Sequence, residues 1–141
     1  MLAIIPAKKN SKRLPNKNLK ILAGKPLIAH TIGIAKKSKQ ITRIIVSTDC
    51  PKIAKISKKY GAEIPFYRPK KLSRNETSSL EVCRYTVNSL NKIEGKNISS
   101  FVTLQPTSPL RLPKDIDKAI KIFKKKKADS VMSFSKAKPI G

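Results

Sequence analysis

A short apolar segment at the start of the chain, followed at once by a basic loop, constrains the fold most strongly. Leu2 to Ile5 reads LAII, and Pro6 ends its main-chain hydrogen bonding because proline has no N–H to donate. A short apolar run rich in isoleucine predicts a buried first strand. The loop that follows carries five cations, interleaved with asparagine and serine: Lys8, Lys9, Lys12, Arg13 and Lys17.

A basic loop at the carboxyl end of a strand suits a polyphosphate ligand. In open parallel sheets the ligand binds in the crevice beyond the carboxyl ends of the strands, where cations and free N–H groups meet phosphate oxygens. The loop contains no glycine, and neither GxxxxGK[ST] nor GxGxxG occurs anywhere, so the two glycine-rich phosphate motifs are excluded. In a chain this rich in lysine, a solvated run of charge remains the alternative interpretation.

The periodicity of the remaining chain predicts an α/β protein. Further strands are predicted at 41–47, 62–66, 99–104 and 128–135. Helices are predicted at 25–38, at 50–60, from Asn75 or Thr77 to 94, and from 113 onward. Residues 19–24 are predicted to form an irregular connection. Asp49 is predicted to be the N-cap of the second helix, and Gly61 is predicted to be the C′ residue of the same helix. The alternation predicts right-handed crossovers and a mostly parallel, three-layer α/β/α sheet in a single domain over residues 1–141.

The net charge of +24 allows three classes of partner: nucleic acid, an anionic membrane surface or an anionic substrate. Lysines recur in every predicted helix and aromatic residues are few, which disfavours a dedicated nucleic-acid face. Lysine, isoleucine and asparagine are abundant and arginine is scarce, which favours a compositional bias of the whole proteome as the source of the charge. No apolar stretch is long enough to span a bilayer. Cys50 and Cys83 match no metal or redox spacing. We therefore expect a cytoplasmic protein with two buried free thiols, no specific nucleic-acid partner and no membrane partner.

Four sequence blocks follow one another in a specific order. They are IPAKKNSKRLPNKN continuing into GKPLIAHTI, RIIVSTD at 43–49, YGAEIPFYRP at 60–69, and LQPTSPLR at 104–111. Together they resemble the acylneuraminate cytidylyltransferases, or CMP-sialic acid synthetases, over nearly the whole chain. The arginine usual after I-P-A in that family is Lys8 here, which keeps the charge but loses the bidentate guanidinium contact with phosphate.

The resemblance implies a fold, a reaction and a set of site residues. The fold is the Rossmann-like nucleotide-diphospho-sugar transferase fold. The reaction moves CMP from CTP to the anomeric hydroxyl of a sialic-acid-like 2-keto nonulosonic acid and releases pyrophosphate. Lys8 and Lys17 match the catalytic cations, and Gln105 matches a glutamine that touches the sugar. Nucleotide contacts are implied for Ala7, Ser11, Lys12, Asn18, Arg68 and Ser79, of which Arg68 and Ser79 would read the cytosine edge.

The resemblance also implies Mg²⁺, which usually bridges the phosphates and needs carboxylates. Only eight acidic residues are present, and the D-x-D spacing of Asp115 and Asp117 falls at a predicted helix start, so the ligands are expected outside this chain. The family's domain is longer, and we expect a chain truncated at its C-terminus, inactive alone, and homodimeric at full length.

Three other functions compete with a transferase specific for nine-carbon acids. One is a cytidylyltransferase for another keto-sugar acid, of the 3-deoxy-manno-octulosonate type. Another is a CTP-binding fragment without catalysis. The third is a basic nucleic-acid-binding module, supported by charge alone.

Overall fold

The structure is a computed structural model that describes residues 1–8, 17–74, 77–106, 112–125 and 132–134. Its strands are β1 (Leu2–Pro6), β2 (Ile21–Leu22), β3 (Lys25–Pro26), β4 (Arg43–Ser47), β5 (Phe101–Leu104) and β6 (Met132–Phe134). Its helices are α1 (Leu27–Lys37), α2 (Pro51–Lys59), α3 (Ser79–Glu94) and α4 (Pro113–Lys125), with 3₁₀ turns at Lys17–Leu19 and Lys70–Leu72. None of the helices in these ranges is both long and apolar enough to cross a membrane.

Four strands form a parallel sheet in the order β4-β1-β5-β6. Ala3 of β1 lies opposite Ile44 of β4 on one side and Val102 of β5 on the other. The chain passes from β1 to β4 and later returns to the opposite side of β1 to form β5. The gap between the carboxyl ends of β1 and β5 is therefore the topological switch point, where open α/β sheets bind their ligands.

The side chains of β1 separate the core into two halves. Ala3 and Ile5 pack with residues of α1, α2 and α4, whereas Leu2 and Ile4 pack with residues of α3. Because successive strand residues point to opposite faces, α1, α2 and α4 cover one face of the sheet and α3 covers the other. The predicted three-layer arrangement around a mostly parallel sheet is confirmed.

Two local predictions are wrong. Residues 19–24 are not irregular throughout, because β2 and β3 form an antiparallel ribbon, and α1 consequently begins at Leu27 rather than Lys25. The ribbon turns at Ala23 and Gly24, with φ of 49° and 81°, as in a type I′ turn. Residues 62–66 form no strand but a single bridge from Glu63 to Ile45, followed by Pro65, which has no N–H to extend the pairing.

The helix ends follow local chemistry, with one correction. The N-cap of α2 is Cys50, not Asp49; the N–H of Cys50 donates to Thr48 Oγ1 at 3.1 Å, and no side chain caps the helix. Gly61 follows the C-cap of α2 with φ of 101°, as predicted. The predicted burial of both free cysteines is also confirmed.

Candidate functional site

A cleft opens at the carboxyl edge of the sheet, at the switch point between β1 and β5. Pro6 and Lys8, at the end of β1, and Gln105 and Pro106, after β5, line one part of it. The remaining lining residues come from the 3₁₀ turn, the segment after α2, and the start of α3: Asn18, Arg68, Thr77, Ser79 and Val82. The cleft encloses about 140 Å³, so the strand order brings together residues that are far apart in the sequence.

Asn18 holds the start of the basic loop. It is 1% exposed, and its Nδ2 donates to the carbonyl oxygen of Lys8 at 3.0 Å. Its Oδ1 is buried and has no hydrogen-bond partner among the described residues. A buried acceptor without a partner costs about 1–3 kcal/mol, so this oxygen is suited to accept a hydrogen bond from a ligand in the cleft.

Lys8 extends from the end of β1 toward the loop that precedes α3. Its Nζ donates to the carbonyl oxygen of Arg74 at 3.3 Å. The side chain is only half buried, so its ammonium group remains within reach of an anion that enters from solvent.

Arg68 places a cation in the protein interior. It is 7% exposed, and its Nη2 and Nε donate to Ser47, to the carbonyl oxygen at 3.2 Å and to Oγ at 3.4 Å. Its Nη1 donates to the carbonyl oxygen of Leu72 at 3.5 Å. Burial lowers the pKa of Arg68, while the nearby Asp49 carboxylate acts in the opposite direction.

The buried charge of Arg68 is incompletely compensated. Arginine stays protonated at neutral pH even when its pKa is lowered. The ion pairs found among the described residues do not include Arg68. Since buried charges are normally paired, such an arrangement is typical of binding sites.

Ser79 connects the beginning of α3 with the end of β5. Its Oγ accepts a hydrogen bond from Gln105 Nε2 at 2.7 Å. Ser79 is the first residue of α3, whose N-cap Ser78 accepts the N–H of Glu81 at 3.1 Å. The N-terminal end of a helix carries partial positive charge, which adds to that of Lys8 and Arg68.

Cys83 lies one turn further along α3, behind the cleft. Its Sγ is 3.3 Å from Thr103 Oγ1, and burial raises the pKa of the thiol to about 11. The thiol is therefore protonated at neutral pH, and it is not suited to act as a nucleophile.

Comparison with known proteins identifies the family of the chain. The sequence model described as Cytidylyltransferase matches residues 2–140. The chain is a member of the cytidylyltransferase family. The resemblance deduced from the four sequence blocks is thereby confirmed.

Curated cytidylyltransferases are similar to most of this chain. The CMP-N,N′-diacetyllegionaminic acid synthase of Legionella pneumophila is 44% identical over 126 residues, which cover 88% of this chain and 53% of that protein. The N-acylneuraminate cytidylyltransferase of Escherichia coli is 38% identical over 123 residues, which cover 87% of this chain and 28% of that protein. The chain thus spans about half the length of the first of these relatives and less of the second.

The fold is shared with solved cytidylyltransferase structures. The CMP:2-keto-3-deoxy-manno-octonic acid synthetase complexed with CTP matches with a TM-score of 0.68 and 24% identity, covering 90% of this chain and 48% of that one. A cytidylyltransferase from Leptospira borgpetersenii matches with a TM-score of 0.64 and 22% identity, and the match covers 87% of this chain and 48% of that one. The predicted Rossmann-like fold is confirmed.

The cytidylyltransferase cleft contains five of the nine predicted site residues, namely Lys8, Asn18, Arg68, Ser79 and Gln105. Ala7 lies in the core, 1% exposed, and its N–H donates to the carbonyl oxygen of Ser47 at 2.8 Å. Lys17 begins a 3₁₀ turn, but its side chain lies outside the described part of the chain. Ser11 and Lys12 also lie outside the described residues.

Sequence reasoning missed several groups that complete the cleft. Thr77 and Val82 line it beside Ser79, and the spacing of Ser79 and Val82 places them on the same face of a helix. That spacing could have predicted Val82 as a cleft residue. No comparable sequence pattern marks the main-chain carbonyl acceptors of Arg68 at Ser47 and Leu72, because main-chain carbonyls are present at every residue.

A divalent metal generally assists nucleotidyl transfer. Within the described ranges, no three His, Cys, Asp or Glu residues lie close enough together to hold a metal ion. The described residues therefore do not fit a Mg²⁺ site.

Proposed function

We propose that this cleft binds CTP in an enzyme that transfers CMP to the anomeric hydroxyl of a sialic-acid-like 2-keto nonulosonic acid. The sugar oxygen attacks the α-phosphorus, and the bond from that phosphorus to the departing pyrophosphate breaks. The observation that carries the proposal is the convergence of Lys8, Asn18, Arg68, Ser79 and Gln105 on one cleft at the switch point. The relatives are named for N,N′-diacetyllegionaminic acid and N-acylneuraminate, and these acids supply the chemical class of the acceptor.

The triphosphate is assigned to the basic loop. Phosphoryl transfer needs little covalent help, so positioning and charge neutralisation account for most of the catalysis. Lys8 and Lys17 are proposed to neutralise the charge that develops on the pyrophosphate oxygens. Ser11 and Lys12 are proposed to complete this phosphate-binding segment, and Ala7, whose N–H donates to Ser47, is proposed to hold its start against the sheet.

The nucleoside is assigned to the buried side of the cleft. Cytosine presents two acceptors, O2 and N3, and one donor, its amino group. Arg68 uses three of its five N–H groups on Ser47 and Leu72, which leaves donors for the base. Asn18 Oδ1 is a matching acceptor for a nucleoside donor, and Ser79 contributes a hydroxyl. Gln105, hydrogen-bonded to Ser79, is proposed to contact the sugar.

We further propose that Mg²⁺ is required and that its ligands lie outside the described residues. The complete enzyme is proposed to be a cytoplasmic homodimer. These statements rest on the family and not on the geometry of the cleft.

Calorimetric titration with CTP, ATP and tripolyphosphate at about 150 mM salt tests the site. CTP is expected to bind saturably and more tightly than ATP. Arg68→Gln should weaken CTP binding about tenfold and leave tripolyphosphate binding unchanged, because it removes a contact to the base. Lys8→Ala should weaken both ligands. Lys92→Ala is the matched control, since it removes the same charge about 20 Å away along α3.

Equal binding of CTP and ATP, weakened equally by Lys8→Ala and Lys92→Ala, would show that charge alone attracts nucleotides. A pyrophosphate-release assay with the complete protein then identifies the acceptor. Release with a nine-carbon keto acid supports the proposed reaction. Pyrophosphate release only with 3-deoxy-manno-octulosonic acid would identify that acid as the acceptor instead. CTP binding without pyrophosphate release in the presence of any of these sugars would show that the protein binds the nucleotide without catalysis.

A further inference from the structure

The positive charge of the described helices is concentrated on one side of the sheet. Every lysine of α1, α2 and α4 is exposed, two on α1, four on α2 and five on α4. We call these exposed lysines the lysine face. In contrast, the exposed charges of α3 on the opposite side balance, since Arg84 and Lys92 are matched by Glu81 and Glu94.

Few acidic groups offset the lysine face. The acidic residues of its three helices are Asp115 and Asp117. The Asp117 carboxylate accepts hydrogen bonds from the Ser38 hydroxyl and from the N–H groups of Lys39, at 2.9 Å, and Gln40, at 3.1 Å. Partial burial acts to raise the pKa of Asp117, but these hydrogen bonds prevail and lower it. The Asp117 carboxylate thus binds the segment that follows α1 and also interacts electrostatically with Lys121, so Asp115 and Asp117 together offset two of the eleven lysine charges.

The lysine face is broad and lies away from the cleft. Helix α1 contacts both α2 and α4, and all three pack on the same side of the sheet. With neighbouring axes about 8–10 Å apart and α4 about 20 Å long, the face extends roughly 20 Å in each direction. The cleft is lined by β1, β5, α3 and the intervening loops, and not by these three helices. A large anionic surface can therefore cover the lysine face while the cleft stays open.

The side chains of the lysine face favour a lipid surface over nucleic acid. Helices α1, α2 and α4 contain no arginine, which would read bases or clamp phosphates bidentately, and their one aromatic residue, Phe123, is buried. Ile122 of α4 is 47% exposed between Lys118 and Lys125. A basic helical surface with an exposed apolar side chain suits the headgroup region of an anionic bilayer.

We propose that the lysine face binds the surface of a bilayer that contains anionic phospholipids. The interaction is peripheral and electrostatic, and it is independent of the proposed function. It revises the expectation that no membrane partner exists, which rested on the absence of an apolar stretch long enough to span a bilayer. The layering assigns eleven lysines to one side of the sheet and leaves α3 without net charge.

Co-sedimentation of the full chain with vesicles at about 150 mM salt tests this proposal. The protein should pellet with vesicles of phosphatidylglycerol and phosphatidylcholine in equal parts and stay in solution with pure phosphatidylcholine. Replacing four lysines of the face by glutamine (Lys55, Lys58, Lys118 and Lys121) should weaken the partition about 1,000-fold. The matched control replaces four exposed lysines outside the face by glutamine (Lys25, Lys70, Lys71 and Lys92), and it should keep most of the binding.

Circular dichroism of both fourfold variants verifies their folding. Equal weakening by the two variants would overturn the proposal, because only net charge would then matter. Absence of binding to the anionic vesicles at this salt concentration would overturn it as well. So would displacement from the vesicles by duplex DNA at equal phosphate concentration, which would identify nucleic acid as the preferred partner.

Discussion

The side-chain amide of Gln105 donates a hydrogen bond to the hydroxyl of Ser79, with 2.7 Å between Nε2 and Oγ. Gln105 follows β5 and is assigned to the sugar, whereas Ser79 begins α3 and is assigned to the nucleotide. The residues assigned to the two substrates are therefore in direct contact, and we expect a substitution of either residue to change the binding of both substrates.

Ser79→Ala is expected to raise the KM for the sugar as well as that for CTP, because Gln105 loses the acceptor that orients its amide. A hydrogen bond of this kind is worth about 0.5–1.5 kcal/mol. A double-mutant cycle of Ser79→Ala and Gln105→Ala, measured by pyrophosphate release from the complete protein, should give a coupling energy of that size. Strictly additive effects on both KM values would show that the contact does not link the two positions.

Asn18→Ala is expected to destabilise the protein by about 0.5–1.5 kcal/mol, because loss of the hydrogen bond to the carbonyl oxygen of Lys8 is only partly offset by removal of the unpartnered Oδ1. The free energy of unfolding from urea titration measures this loss. Asn88, exposed on α3, provides the matched control, and Asn88→Ala should change stability by less than about 0.5 kcal/mol. Equal stability of the two variants would contradict a structural role for the Asn18 amide.

The amino-terminal end of β4 carries a charge cluster that predicts acid sensitivity. Arg43 donates to Glu63, with 2.8 Å from Nε to Oε2, and to Glu94, with 2.6 Å from Nη2 to Oε2. The hydrogen bond from Arg43 is the main cause that lowers the pKa of Glu94 below its usual value of 4.5. The stabilisation from a carboxylate with a lowered folded-state pKa is present above pH 4.5 and is lost as the pH falls through the folded-state value.

The melting temperature should accordingly fall more steeply below pH 4.5 in the original protein than in Arg43→Gln. Arg84→Gln removes an exposed arginine from α3 and should keep the steep dependence. Parallel curves for the original protein and Arg43→Gln would contradict this assignment. CTP affinity should not change in Arg43→Gln, since Arg43 begins β4 while the cleft lies beyond the other end of the sheet.

The strands and helices were largely predictable because their signals are local. The apolar runs of β1, β4 and β5 and the spacing of α1, α3 and α4 are visible in short windows of sequence. The β2–β3 ribbon was missed because Ala23-Gly24 lacks the Asn-Gly or Asp-Gly pair that marks most type I′ turns. Gln105 could be placed because it directly follows β5, and Lys8 because it lies two residues after the end of β1. The burial of Arg68 could not be predicted, since it depends on hydrogen-bond acceptors at Ser47 and Leu72 that lie beside the guanidinium group only in the folded chain.

The two thiols give a test of the packing behind the cleft. Cys50 and Cys83 are both buried, and burial raises the pKa of Cys83 to about 11. Neither should react with Ellman's reagent in the native protein at pH 8, and both should react in urea.

The raised pKa of Cys83 also predicts a loss of stability at alkaline pH. For an acid whose folded-state pKa is raised, stability is full below the unfolded value of 9.0 and falls as the pH rises from 9.0 toward 11. Cys83→Ala should remove part of that alkaline loss of stability. Rapid labelling of Cys83 in the native state would show that α3 opens away from β5, and the Ser79–Gln105 contact would open with it.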